Sequence, residues 1–148
     1  DKFFPRQKFF LVIDLADKSV PSTMKEVAAI SGAFMFVRRK ALEEVGVLDE
    51  EYFLYCEDID WMLRFGQKDW KILFVPDFVI EHAKGISSRQ KPFAVLWHKH
   101  CGMTRFYQKF FRQRYFWLLA VLVYCGIWAR FSLLILLTCI TYPFRRVF

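Results

Sequence analysis

Phe53-Leu54-Tyr55-Cys56-Glu57-Asp58-Ile59-Asp60-Trp61 closes an aromatic loop and opens a helix, and its reading decides how the rest of the chain is understood. Acidic residues favour the positive end of a helix dipole, so the helix starts at Glu57. Ile59, Met62 and Leu63 give it an apolar stripe, and it ends near Gly66 or Lys68. A start at Glu57 puts Glu57, Asp60 and Trp61 on one face and turns Asp58 about 100° away. The carboxylates therefore need not share one task. An ionised Asp is what a reaction needs when an alcohol loses its proton during attack, which makes Asp58 a candidate general base. Glu57 would orient Asp58 or hold a substrate hydroxyl. Asp60 would do the same or pair with a nearby Lys or Arg. The plainer alternative for a bare E-D-x-D is an exposed acidic helix start.

Upstream, residues 1–24 mix aromatics, charges and prolines and read as irregular, with a short strand near Phe9–Ile13. Ala33 to Val37 has the length of a buried strand, and Gly32 before it lets the backbone approach a neighbour closely. Lys40 to Val45 reads as a short helix capped by Gly46. Downstream, Lys71–Val75 is expected as a strand, Pro76 interrupts it, and Phe78–Ile80 resumes the extended pattern up to His82. Gly85–Arg89 is a polar loop. Pro92 then opens a helix running to about Arg114, with Phe93, Leu96, Trp97, Phe106, Phe110 and Phe111 on one face and basic residues on the other. The mixture makes the fold class α/β.

The chain has 148 residues and a formal charge of +7, and most of the excess flanks an apolar tail. Lys99, Arg105, Lys109, Arg112 and Arg114 precede the tail, and Arg145 and Arg146 follow it. That placement fits anionic lipid, and no nucleic-acid partner is expected. From Phe116 to Tyr142 the run is longer than the roughly 20 residues that a spanning helix requires. Arg130 interrupts it at a cost of about 2.5 to 3.5 kcal/mol on insertion scales. A membrane helix or a helical hairpin is therefore expected. The denser basic residues before the tail place the soluble part on the cytoplasmic face. The four cysteines lack C-x-x-C spacing and read as free thiols. Nothing at the N-terminus resembles a secretory signal.

As an ordered set, Ser31-Gly32-Ala33-Phe34-Met35-Phe36-Val37-Arg38-Arg39, Val45-Gly46-Val47-Leu48-Asp49-Glu50 and Phe53 to Trp61 resemble the family 2 glycosyltransferases of the GT-A fold. Leu63-Arg64, Trp70-Lys71-Ile72 and Val75-Pro76 continue the match. His82-Ala83-Lys84-Gly85-Ile86-Ser87-Ser88 is similar to the H-x-x-G-x-S loop of the rhamnosyltransferase-like branch. The resemblance covers about residues 26–90.

It implies that Asp58, assisted by Glu57, is the base of an inverting displacement on a nucleotide-sugar donor. The acceptor would be a glycan or a polyprenyl-linked precursor. Gly32 and Ala33 would lie against the donor sugar; from their own chemistry, Asp60 would contact substrate or pair with a Lys or Arg, and Trp61 would stack on a sugar ring or fill the core. Ser87, Ser88 and Arg89 would sit near the diphosphate, and His82 would ligate a divalent cation, Mg or Mn. The family's D-x-D motif, which helps to hold that metal, is not matched by Asp14-Leu15-Ala16-Asp17. The chain accordingly reads as the C-terminal, acceptor-side part of the fold. The expected divisions are a connecting segment at 1–25, a GT-A half-domain at 26–90, a basic amphipathic helix at 91–114 and a membrane segment at 115–148. The alternative is a non-catalytic membrane-bound remnant that binds no donor.

Overall fold

A computed structural model of the chain describes residues 21–81 and 91–141. The strand expected at Phe9–Ile13, the Asp14–Asp17 stretch, the loop with His82, Ser87, Ser88 and Arg89, and the pair Arg145 and Arg146 lie outside the described residues. The described residues form two compact units, 21–49 with 58–81 and 50–57 with 91–141.

The first unit contains β1 (Lys25–Val27), α1 (Arg39–Val45), nearly all of α2 (Glu57–Gln67) and β2 (Ile72–Phe74). β1 and β2 pair antiparallel with Lys25 opposite Phe74 and Val27 opposite Ile72. An ion pair between Lys71 and Glu26 at 3.3 Å flanks the pairing. Ala41 from α1 packs with Trp61 and Phe65 from α2, and Met35, Val37, Leu42, Val45 and Trp70 close around them. The indole N–H of Trp70 donates to Glu44 Oε2 at 2.9 Å, which fixes the ring at the edge of this core.

Ala33–Val37 is not the strand that its apolar run suggests. Its side chains alternate as in a strand, with Met35 and Val37 against the core and Phe34 and Phe36 exposed. Among the described residues no backbone ladder includes it, the sheet there consisting of β1 and β2 alone. Hydrophobic run length reports burial, whereas a strand also requires a partner ladder. Phe78–Ile80 departs from expectation in the same way, with no strand partner among the described residues and all three side chains exposed.

The second unit is built on α3 (Pro92–Phe110) and α4 (Trp117–Thr141), joined through a 3-10 turn at Arg112–Arg114. Pro92 stands in the first helical turn, where its missing N–H costs no intrahelical bond. The helix expected to reach Arg114 stops at Phe110. It closes with the Phe111 N–H donating to Tyr107 O at 2.9 Å, and the chain then tightens into the 3-10 turn, with the Arg114 N–H donating to Phe111 O at 2.9 Å. The apolar tail is one helix, long and apolar enough to cross a membrane by length and composition. The hairpin is made by α3 and α4 together. All four cysteines are free thiols.

Candidate functional site

Asp58 stands in the first turn of α2 and reaches back to the loop before Ala33. The Gly32 N–H donates to its Oδ2 at 3.1 Å, and the Ile59 N–H donates to its Oδ1 at 2.8 Å. A Cβ on residue 32 would lie 3.1 Å from Asp58 Cβ and 3.2 Å from Oδ2. Contacts that tight force a neighbour to move, so the glycine is what admits the carboxylate. The loop is shaped in turn by Ser31, whose hydroxyl accepts from the Ala33 N–H at 3.3 Å. The structure thus brings Gly32 and its neighbour Ala33 up to Asp58. Each carboxylate oxygen keeps lone-pair capacity for a further donor.

Asp60 and Trp61 lie on a different face. Asp60 is fully enclosed, and its Oδ1 accepts from Arg64 Nε at 2.6 Å. The same guanidinium donates from Nη1 to Val45 O at 2.9 Å and from Nη2 to Val47 O at 2.7 Å. The Trp61 indole N–H donates to Gly46 O at 2.8 Å, and its ring is buried in the core. Three consecutive carbonyls at the end of α1 are therefore held by side chains of α2. Gly46 adopts φ 83 and ψ 179, a conformation essentially restricted to glycine, and so the turn that delivers those carbonyls is fixed. Of the two readings open for each residue, substrate contact or a structural role, Asp60 is seen paired with Arg64 and Trp61 is seen filling the core.

Glu57 belongs with the second unit. Its Oε2 is buried without a hydrogen-bond partner among the described residues. The two residues before it, Tyr55 at φ 69 and Cys56 at φ 74, have left-handed backbones. For side chains with a Cβ this costs about 1 to 2 kcal/mol each. The compensating contact lies on α3. A Cβ on Gly102 would lie 2.7 Å from Tyr55 O and 3.6 Å from both Cys56 Sγ and Leu54 O, so only glycine lets the strained turn close on the helix. Lys99 Nζ stands 5.2 Å from the Tyr55 ring centre, and the Arg105 guanidinium stands 5.4 Å from that of Tyr52.

Sequence reasoning missed Arg64 as the organiser of the α1 turn, although its i,i+4 spacing from Asp60 is the signal for such a pair. It also missed Gly102. A lone glycine inside a helix marks a close approach, and the approaching group comes from the acidic turn.

Among the described residues no three His, Cys, Asp or Glu side chains come together as a metal site. Asp60 is committed to Arg64, and His82 lies outside the described residues. The described carboxylates therefore do not fit a divalent cation by themselves.

The pattern described as Glycosyl transferase family group 2 matches residues 3–147. The chain belongs to this glycosyltransferase family. Within it, residues of this chain are 38% identical over 68 residues to the N-acetylglucosaminyl-diphospho-decaprenol L-rhamnosyltransferases of two Mycobacterium tuberculosis strains, CDC 1551 / Oshkosh and H37Rv. Each match covers 46% of this chain and 22% of the relative. The chain is also 40% identical over 52 residues to rhamnosyltransferase WbbL of Escherichia coli K12, covering 35% of this chain and 20% of that protein. It thus spans about a fifth of the length of the curated relatives it matches. No solved structure matches this glycosyltransferase-family chain.

Proposed function

We propose that the chain is the acceptor-side part of a membrane-associated glycosyltransferase. It would transfer rhamnose or a similar sugar from a nucleotide-sugar donor to a polyprenyl-linked or cell-surface glycan acceptor, inverting the anomeric carbon. The observation that carries this reading is the Asp58 carboxylate, seated on the Gly32 N–H with acceptor capacity to spare. The names of the rhamnosyltransferase relatives support the sugar class and a lipid-linked acceptor.

In the proposed step the acceptor hydroxyl donates to Asp58. As the acceptor oxygen bonds to the anomeric carbon, the bond from that carbon to the phosphate oxygen breaks, the proton passes to Asp58, and a nucleoside diphosphate departs. Gly32 and Ala33 would lie against the donor sugar, where a small backbone surface admits the ring. Glu57 would hold an acceptor hydroxyl. Asp60 and Trp61 would act indirectly, by fixing the turn at Gly46. Ser87, Ser88 and Arg89 would face the diphosphate, since hydroxyl and guanidinium donors suit an anion. A divalent cation, Mg or Mn, would be held by His82 together with groups that the described residues do not provide.

The chain would associate with anionic lipid through α4 and the basic residues ahead of it, with its soluble part on the cytoplasmic face. The test is to give the intact protein that carries this chain a nucleotide-activated rhamnose and a polyprenyl diphosphate-linked sugar, and to read the product's anomeric configuration by NMR. An inverted linkage is expected. A retained configuration, or no transfer from any nucleotide sugar, would overturn the proposal.

A further inference from the structure

We infer that α4 does not cross the bilayer but lies along one leaflet, with α3 riding on it at the membrane surface. The inference rests on the membrane association proposed above and concerns how that association is made.

α3 is engaged on two opposite faces. Towards α4, the Trp97 ring centre stands 5.5 Å from that of Trp128 and 5.8 Å from that of Phe131. Tyr107 stands 5.4 Å from Tyr124. Later residues of α3 meet earlier residues of α4, so the helices run antiparallel and touch along the middle of α4. Between these contacts His100 is fully enclosed. Its Nδ1 lies 2.7 Å from Leu96 O and its Nε2 lies 3.1 Å from Arg130 Nη1. Because a guanidinium only donates, Nε2 is the acceptor and Nδ1 the donor. The charge that interrupts the apolar helix is thereby tied to α3.

The other face of α3 carries His98, Gly102, Arg105 and Lys109, whose spacing forms one stripe along a helix. That stripe meets the segment before α2. Phe53 packs on His98 with ring centres 4.2 Å apart, Arg105 pairs with Glu51, and Lys109 Nζ stands 6.0 Å from the Tyr52 ring. A spanning α4 would set its middle residues, Tyr124 to Phe131, near the centre of the hydrocarbon. α3 would be carried to the same depth, and with it Arg105, Lys109 and Glu51. Charged side chains are rare at that depth, and a polar loop segment cannot be exposed to lipid there.

The in-plane arrangement removes the conflict. α4 has no polar face of its own, and Leu122, Leu133, Leu136 and Ile140 are exposed. Alone it lacks the charged face of an interfacial helix. α3 supplies that face, so the hairpin is the amphipathic unit. Arg130 then needs to reach only headgroup depth. The basic residues ahead of α4, Lys109, Arg112 and Arg114, would then meet the same anionic surface.

The test uses the full chain added from outside to sealed vesicles of phosphatidylglycerol and phosphatidylethanolamine. Flotation reports binding. Phe116→Cys and Thr141→Cys, at exposed positions near the two ends of α4, are then treated with a membrane-impermeant maleimide and read peptide by peptide. Both should label from outside, with no gain when the vesicles are opened. Labelling of Thr141→Cys only after opening would overturn the inference and leave membrane association standing. Failure to float would remove both. The unsubstituted chain gives a second readout, because external trypsin should cleave after Arg145 or Arg146. Protection of those bonds until the vesicles are opened would count against the in-plane arrangement.

Discussion

The Gly32 N–H donates to Asp58 Oδ2 at 3.1 Å, in a space that exists only because residue 32 has no side chain. This contact joins the loop expected to face a donor sugar with the residue expected to take a proton. Gly32→Ala would set a methyl group against Asp58 and displace the carboxylate by a few tenths of an ångström or more. We predict a loss of about 10- to 100-fold in kcat for the intact protein, because small misplacements at a reacting centre are expensive. Thermal unfolding should show little change, which separates this effect from loss of fold.

Arg64→Ala is predicted to act on stability. It removes the ion partner of a fully buried carboxylate and empties two carbonyl contacts at the α1 turn. Breaking such a pair costs about 3 to 5 kcal/mol. Urea unfolding should show the lowered midpoint. Arg64→Lys should recover only a fraction of it, since an ammonium cannot reproduce a fork that reaches Asp60, Val45 and Val47 together.

Gly102→Ala should destabilise the second unit by about 1 to 3 kcal/mol, because the new methyl would meet the Tyr55 carbonyl, a backbone atom that cannot rotate aside. Hydrogen exchange should show the protection of α3 falling first around residues 98–106. Unchanged exchange there would mean that the strained turn is not held by this contact.

Burial pushes the Cys101 thiol up from its ordinary value. A raised value means less thiolate at a given pH, so iodoacetamide should modify Cys101 more slowly at pH 8 in the folded chain than in urea. For the same reason this thiol contributes stability below its unfolded-state value, and that contribution is lost as the pH rises through the folded-state value. Equal alkylation rates in the two states would contradict the assignment.

Much of this arrangement was legible in the sequence. The acidic helix start, the cap at Gly46 and the long apolar helix all follow from local chemistry, in which dipole, positive φ and hydropathy act within a few residues. The closeness of Gly32 and Asp58 was not legible, since nothing local connects residues 26 positions apart. The error at Ala33–Val37 arose because alternation and apolarity report an extended, half-buried chain but not a pairing partner. For Asp60 the sequence left two readings open, a substrate contact or an ion pair, and Arg64, one turn later, holds it in the fold. The partnership of His100 with Arg130 was hidden because it depends on how two helices pack.

The most direct test of the account is Asp58→Asn in the intact protein, assayed for transfer from the nucleotide sugar to the lipid-linked acceptor. Asn keeps the shape and still accepts from the Gly32 N–H, but it cannot take the acceptor's proton. The account predicts that kcat falls by about 100-fold or more with the unfolding midpoint preserved, in line with the rate contributed by a positioned base. Transfer at the wild-type rate would contradict the assignment of Asp58 as the base.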